Sequence, residues 1–280
     1  MALTQAETAR FVQTPDWKIR YYEAGEGYPL ILIHGSGPGA TGWSNFSRNI
    51  EALAQHFHVY ALDMPGWGDS DSCTKETLDH VGATIQFMDT LGIAKAALVG
   101  NSMGGIVTLA VAVDHPDRVS HVITMGPGSS PMPRLFGAGD GPTEGLKYLQ
   151  QAYRTPTPEA MQALVNIMVF DKTFATPELC KARSDAALAN PEHLTNFLDM
   201  LAKGGPINRW ASMEALMKLQ IPALLIHGRD DRVVHFEHSM VLNAHIPNSR
   251  LVLMNRCGHW AMIEHADEFN RLVTDFVLNN

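Results

Sequence analysis

Six short, continuously apolar runs recur along the chain, at 29–34, 58–63, 96–100, 119–125, 223–227 and 251–254. Runs this brief, without polar alternation, suit strands covered on both faces, as in a parallel sheet. Between them lie stretches with helical spacing. Leu78, Val81, Ile85, Met88 and Leu91 recur every three or four positions and predict a helix over 78–91. Residues 103–115 follow the third run and stop at Pro116, and 265–277 form an amphipathic stretch near the C-terminus. Strands alternating with helices predict an α/β fold with right-handed crossovers.

The alternation breaks after Met125. Residues 126–141 are rich in Gly, Pro and Ser, and residues 142–201 then read as several helices with no strand. Pro156, Pro158, Pro177 and Pro191 punctuate them. Strand character returns at 221–227. The pattern predicts a core made of residues 1–129 and 209–280, carrying an inserted helical cap over 130–208.

The chain has 280 residues, of which 45% are hydrophobic and 18% charged, enough for a sizeable buried core. A formal net charge of −8 argues against nucleic acid or an anionic membrane as the main partner. It still allows a local cation to hold an anionic small molecule. The N-terminal residues MALTQAETARFVQ lack the apolar stretch of a secretion signal, and no apolar run reaches the roughly 18 residues that span a bilayer. Cys73, Cys180 and Cys257 are odd in number and widely spaced. They fit reduced thiols in a cytoplasmic protein better than a disulfide framework or a zinc site. No metal or phosphate-loop motif is present.

Candidate chemistry begins with GNSMG at 100–104, between an apolar run and a helical stretch. That is the strand–turn–helix context of a nucleophile elbow, with Ser102 as nucleophile. Such a turn strains the serine and leaves no room for side chains two residues to either side. It also sets the hydroxyl at a helix N-terminus, whose amides favour developing negative charge. This elbow belongs to the α/β-hydrolase fold, a mostly parallel sheet flanked by helices, where acid and histidine follow the serine in that order.

Among thirteen histidines, His259 in CGHW (257–260) follows the last apolar run, where a general base must project. His227 precedes the acid and is in the wrong order. His193 lies in the cap, where it could touch only substrate, and His235 and His238 read as surface or helix positions. The segment GRDDRVV (228–234) offers two adjacent aspartates whose side chains diverge, so one alone can meet the imidazole. The acid of this fold stands two residues before an apolar pair, which favours Asp231, 28 residues before His259, with Asp230 as the alternative. The loop HGSGPGA (34–40) offers the Ser36 N–H as one oxyanion donor, and the Met103 N–H is the second. The Gly-rich loop at 63–71 reads as structural.

HGSGPGATGWSNFSRNI (34–50), LVGNSMGG (98–105), NPEHLTNFL (190–198), GRDDRVV (228–234) and CGHWAMIEHADEFNRLV (257–273) together resemble the meta-cleavage product hydrolases. These enzymes cleave a carbon–carbon bond in 2-hydroxy-6-oxo-hexa-2,4-dienoates, the ring-fission products of aromatic catabolism. The likeness covers nearly the whole chain. It implies a small-molecule dienoate as substrate, no cofactor, and a homodimer or higher homo-oligomer. It also implies that Asn45 and Asn101 hold the dienoate and that Arg183 binds its C1 carboxylate and 2-oxygen. Trp260 would pack against the dienoate, and Phe170 would line the cap side of the pocket. A planar guanidinium fork suits that carboxylate. Ser36 stands where some members carry Gly, and His235 where Pro is frequent. The C6 substituent (hydrogen, alkyl or aryl) is left to residues such as Met132, Phe136, Met168 and Phe170. A carboxylesterase or lactonase could use the same triad, and a catalytically idle ligand-binding protein could use the same fold.

Overall fold

The apolar runs become the middle of an eight-stranded sheet in the computed structural model, which describes residues 3–129 and 142–280. The strands are β1 (Ala9–Gln13), β2 (Lys18–Ala24), β3 (Tyr28–Ile33), β4 (Phe57–Leu62), β5 (Ala96–Asn101), β6 (Val119–Met125), β7 (Ala223–Gly228) and β8 (Ser249–Met254). Their order is β1-β2-β4-β3-β5-β6-β7-β8. All pairings from β4 to β8 are parallel, and β1–β2 and β2–β4 are antiparallel. β5 and β7 are buried at every position, so their sequences show no alternation. The antiparallel pair β1–β2 is not predicted by the apolar runs. β2, one strand in from the edge, interleaves Lys18, Arg20 and Glu23 with buried Ile19, Tyr21 and Tyr22, the half-covered pattern of an antiparallel pair.

The longer helices are α1 (His80–Thr90), α2 (Met103–Asp114), α3 (Glu144–Arg154), α4 (Pro158–Met168), α5 (Pro177–Ala189), α6 (Pro191–Ala202), α7 (Glu237–His245) and α8 (Ala266–Asn279). α2 packs on β3, β5 and β6 and is buried from Met103 through Ala112, as its apolar sequence requires. α3 to α6 all lie between β6 and β7 and pack on one another. Pro158, Pro177 and Pro191 begin helices here. Proline at a first turn wastes no donor, and Thr157 and Thr176 cap the amides of Ala160 and Leu179. Met132 and Phe136, expected near the pocket, lie outside the described residues. No described helix is long and apolar enough to cross a membrane.

Strand register sets the functional rim. Ile33 pairs with Gly100, Asn101 with Met125, Met125 with Ile226, and Gly228 with Met254. The C-terminal ends of β3, β5, β6, β7 and β8 therefore open on one edge, where loops of an α/β sheet form ligand sites.

Candidate active site

The turn after β5 holds Ser102 at φ 54° and ψ −115°, a left-handed region that a residue with a β carbon enters at a cost. The neighbours explain how it is tolerated. A β carbon on Gly100 would lie 2.1 Å from the Gly104 carbonyl oxygen, and one on Gly104 would lie 2.1 Å from the Ile33 carbonyl oxygen. The turn closes because both are glycine. The Ser102 N–H donates to the Met125 carbonyl at 2.8 Å, fixing the elbow to β6.

After β7, Asp231 turns inward and meets the imidazole: its Oδ2 lies 2.6 Å from His259 Nδ1. Its Oδ1 accepts from the amides of Val233 (2.7 Å) and Val234 (3.0 Å). Burial alone would push this carboxyl up. His259 and His227 reverse that and hold Asp231 well below the usual carboxylate range. The neighbouring Asp230 instead faces Arg229, at 3.5 Å. Of the two aspartates, Asp231 is the one in contact with the imidazole. Ser102 and His259 line one narrow cavity, but no hydrogen bond joins them among the described residues. Such a bond is often loose until substrate arrives.

The loop after β3 brings Ser36 beside Ser102. Neither the Ser36 nor the Met103 amide has a protein acceptor among the described residues, as an oxyanion site requires. His34 braces this loop. Its Nδ1 donates to the Gly35 carbonyl at 2.8 Å, so its Nε2 accepts from the Met64 amide at 2.9 Å. Burial pushes the His34 ring down to about 4, so it stays neutral and keeps that acceptor.

The narrow cavity, about 10 Å³, is lined by Asn45, Asn101, Arg183 and Trp260 as well as Ser36, Ser102 and His259. Arg183 is 3% exposed, lies 4.9 Å over the Trp260 ring, and has no acidic partner among the described residues. Its Nη2 reaches only the Pro38 carbonyl, at 3.5 Å, and its Nε has no partner. Burial pushes this guanidinium down to about 10. Asn101 donates from Nδ2 to the carbonyls of Met125 (3.2 Å) and His259 (3.3 Å), leaving its buried Oδ1 unpartnered. Asn45 donates to the Thr41 carbonyl (3.2 Å) and Ser44 Oγ (3.3 Å).

A second cavity, about 430 Å³, opens on the other side of Ser102 and shares Ser36, Ser102 and Leu149 with the first. Its wall is mainly apolar, with Ile106, Leu146, Phe197, Ile207, Trp210 and Val233. His235 and His238 also line it, His238 from the first turn of α7, a helix position as expected. Phe170 is not drawn in. It is 38% exposed, with the Arg256 guanidinium over its ring at 5.6 Å, because the chain after α4 turns outward to meet Glu264. His193 lines neither of these cavities, contrary to its reading as a residue that could touch only substrate. It bonds Ser72 Oγ (3.1 Å) and the Gly68 carbonyl (3.3 Å), tying α6 to the loop at 63–71.

Three residues escape the sequence reading. Tyr153 of α3 donates its hydroxyl to the Ser36 carbonyl at 2.8 Å and accepts from Trp67 Nε1 at 3.0 Å, while its ring stacks on Phe197 at 3.7 Å. Glu264 accepts from the amides of Phe170 (2.7 Å), Asp171 (2.9 Å) and Gly258 (2.6 Å), and the His259 amide donates to the Met168 carbonyl at 2.6 Å. A β carbon on Gly258 would lie 2.4 Å from that same carbonyl oxygen, so the base loop fits against the end of α4 only as glycine. The third is His227, fully buried at the end of β7 and 3.2 Å from Asp231 Oδ2. Its one sequence signal is a histidine closing an otherwise apolar strand.

A family model described as the alpha/beta hydrolase fold matches residues 28–266. A 2-hydroxy-6-oxononadienedioate/2-hydroxy-6-oxononatrienedioate hydrolase of Burkholderia vietnamiensis is 40% identical, covering 98% of this chain and 97% of that protein. A 2-hydroxy-6-oxo-6-phenylhexa-2,4-dienoate hydrolase of Burkholderia cepacia is also 40% identical, covering 99% of each. Among solved structures, a meta-cleavage product hydrolase of Pseudomonas fluorescens matches with a TM-score of 0.84 at 33% identity, covering 98% of this chain and 99% of that one. A 2-hydroxy-6-oxo-6-phenylhexa-2,4-dienoate hydrolase of Rhodococcus matches at 0.82 and 29% identity, covering 97% and 100%.

Proposed function

The chain belongs to the α/β-hydrolase fold family and, within it, to the meta-cleavage product hydrolases; we propose that its substrate lies across the neck at Ser102, dienoate on the narrow side and C6 substituent on the wide side. The protein is a hydrolase acting on a carbon–carbon bond of 2-hydroxy-6-oxo-dienoates. The observation that carries the assignment of sides is Arg183. A guanidinium this buried, without a carboxylate partner among the described residues, is costly until an anion binds it.

In this reading Ser102 is the nucleophile, His259 the general base and Asp231 the residue that fixes the imidazole tautomer and supports the imidazolium. Ser36 and Met103 supply the oxyanion amides. Arg183 takes the C1 carboxylate and 2-oxygen, Asn45 and Asn101 hold the dienoate, and Trp260 packs on it. The dienol first ketonises, taking a proton at C5. Ser102, or a water it activates, then attacks the C6 carbonyl as His259 accepts the proton. The C5–C6 pair departs into the 2-oxo acid, which serves as electron sink, so no cofactor takes part. Cleavage gives a 2-hydroxypenta-2,4-dienoate and, on the water route, the carboxylic acid directly; where Ser102 itself attacks, a water activated by His259 then hydrolyses the Ser102 ester to release the acid.

Residues 130–208 act as the cap on a core of 1–129 and 209–280. In support, Tyr153, Met168 and Arg183 all come from α3 to α5 and reach the neck. The reading includes a cytoplasmic homo-oligomer, supported by three buried free cysteines and by the family resemblance. An apolar wall of about 430 Å³ suits an aryl or branched-alkyl C6 group. The test follows bleaching of the coloured dienolate across C6 hydrogen, methyl, isopropyl and phenyl substrates. Turnover highest with the bulky members is expected. No bleaching with rapid ester hydrolysis would favour an esterase, and tight binding without any turnover an idle binder.

A further inference from the structure

We propose that His227 is a positioning residue for the triad, holding through its Nε2–H the same Asp231 oxygen that receives His259. This rests on the triad assignment above.

The geometry leaves little freedom in how the His227 ring is protonated. Its Nε2 lies 2.9 Å from the Val234 carbonyl oxygen and 3.2 Å from Asp231 Oδ2. Both partners are acceptors, so the proton must sit on Nε2. Nδ1 then accepts from the Ser239 hydroxyl, 2.7 Å away on α7. Asp231 Oδ1 is already taken by the amides of Val233 and Val234. With His259 Nδ1 on Oδ2, the carboxylate is ringed by donors, and His227 is the one whose removal leaves the rest in place.

Strand packing gives no reason for a histidine here. Leu224, Leu225 and Ile226 precede it in β7, and an apolar side chain would fill the position without burying a polar ring. The ring instead draws charge from the oxygen that stabilises the imidazolium of His259. A second donor on that oxygen leaves it less negative charge to share with His259 Nδ1. The other titratable groups on the surrounding segments are engaged elsewhere. Asp230 faces Arg229, Glu237 meets His235 at 3.7 Å, and Glu264 is bound to backbone amides. Burial pushes the Cys257 thiol up, so it stays protonated.

The experiment measures kcat/KM against pH with p-nitrophenyl acetate, for the unaltered protein and for His227→Phe, His227→Gln and Ser239→Ala. Loss of the donor in His227→Phe moves the acid limb upward by about one pH unit, a roughly tenfold loss below the limb and little above it. His227→Gln keeps an N–H donor and restores the profile. Ser239→Ala frees the ring and shifts the limb part of the way. A uniform loss at every pH, with the limb unmoved in both His227→Phe and Ser239→Ala, overturns the proposal and leaves His227 as packing. Should His227→Phe fail to fold, Ser239→Ala decides alone, by whether its limb moves. Retention of ester hydrolysis by Ser102→Ala would instead sink the triad assignment, a separate outcome.

Discussion

On one side of Ser102 the cavity holds about 10 Å³ and is walled by Asn45, Asn101, Arg183 and His259; on the other it holds about 430 Å³ and is walled mainly by aliphatic and aromatic groups. Polar groups on the first side are fixed by named partners: Asn101 on two carbonyls, Ser36 on Tyr153, His259 on Asp231 and Met168. Packing alone shapes most of the second. A site divided this way fixes the part of the substrate where bonds change and leaves the remainder to volume and hydrophobic contact.

The sharpest test of the division acts at the neck itself. Ser102→Ala is expected to lower kcat by about 10⁵-fold on every substrate with folding intact, since a triad acts as a unit. Full activity in steady-state assays would remove the neck from the chemistry. Next comes the narrow side. Arg183→Ala should cost about 100-fold or more in kcat/KM for a dienoate, the loss of a buried charge-assisted pair, and about threefold or less for p-nitrophenyl acetate. Equal losses on both would show that Arg183 is structural. Tyr153→Phe keeps the stack on Phe197 but frees the Ser36 carbonyl. Stopped-flow traces should show bond cleavage slowed about tenfold with ketonisation unchanged, as a loosened oxyanion loop dictates. On the wide side, Ile207→Trp should reduce kcat/KM about tenfold for a C6-phenyl substrate while sparing C6-methyl, by overfilling the cavity.

The smallest effect concerns acid stability of the narrow side. His34 is held down to about 4, below its ordinary value of 6.5, so the unfolded chain binds a proton that the folded chain refuses. Stability is therefore lost as pH falls from about 6.5 to about 4. His80, also at about 4, contributes in the same direction, and Asp63, raised to about 7 by burial, opposes both. The readout is thus a difference. His34→Gln should flatten the pH slope of the denaturation midpoint in that window by about one proton.

Much of this was legible because burial on both faces writes itself into a sequence. β3 to β8 appear as apolar runs within a residue or two of their true ends, and Gly100 and Gly104 announce the elbow. β1 and β2 stayed hidden because an edge hairpin with Lys18, Arg20 and Glu23 carries no continuous apolar signal. Asp231 was separable from Asp230 by its spacing to Val233 and Val234, whose amides it binds. Phe170 was misjudged since nothing local reveals that Glu264, 94 positions on, turns that segment outward. Tyr153 acts through a bond to Ser36, 117 positions away, which has no periodicity to betray it, and His227 reaches Asp231 only because the chain turns back after β7.

The strap formed by Glu264 and the Met168 carbonyl makes the end of α4 and the loop that carries His259 mechanically one piece. Any lifting of α4 away from the sheet must either snap the 2.6 Å bond to the His259 amide or pull on the loop that holds the imidazole against Asp231. If His259 is the general base, as proposed, an enzyme opened at α4 would be a disarmed one.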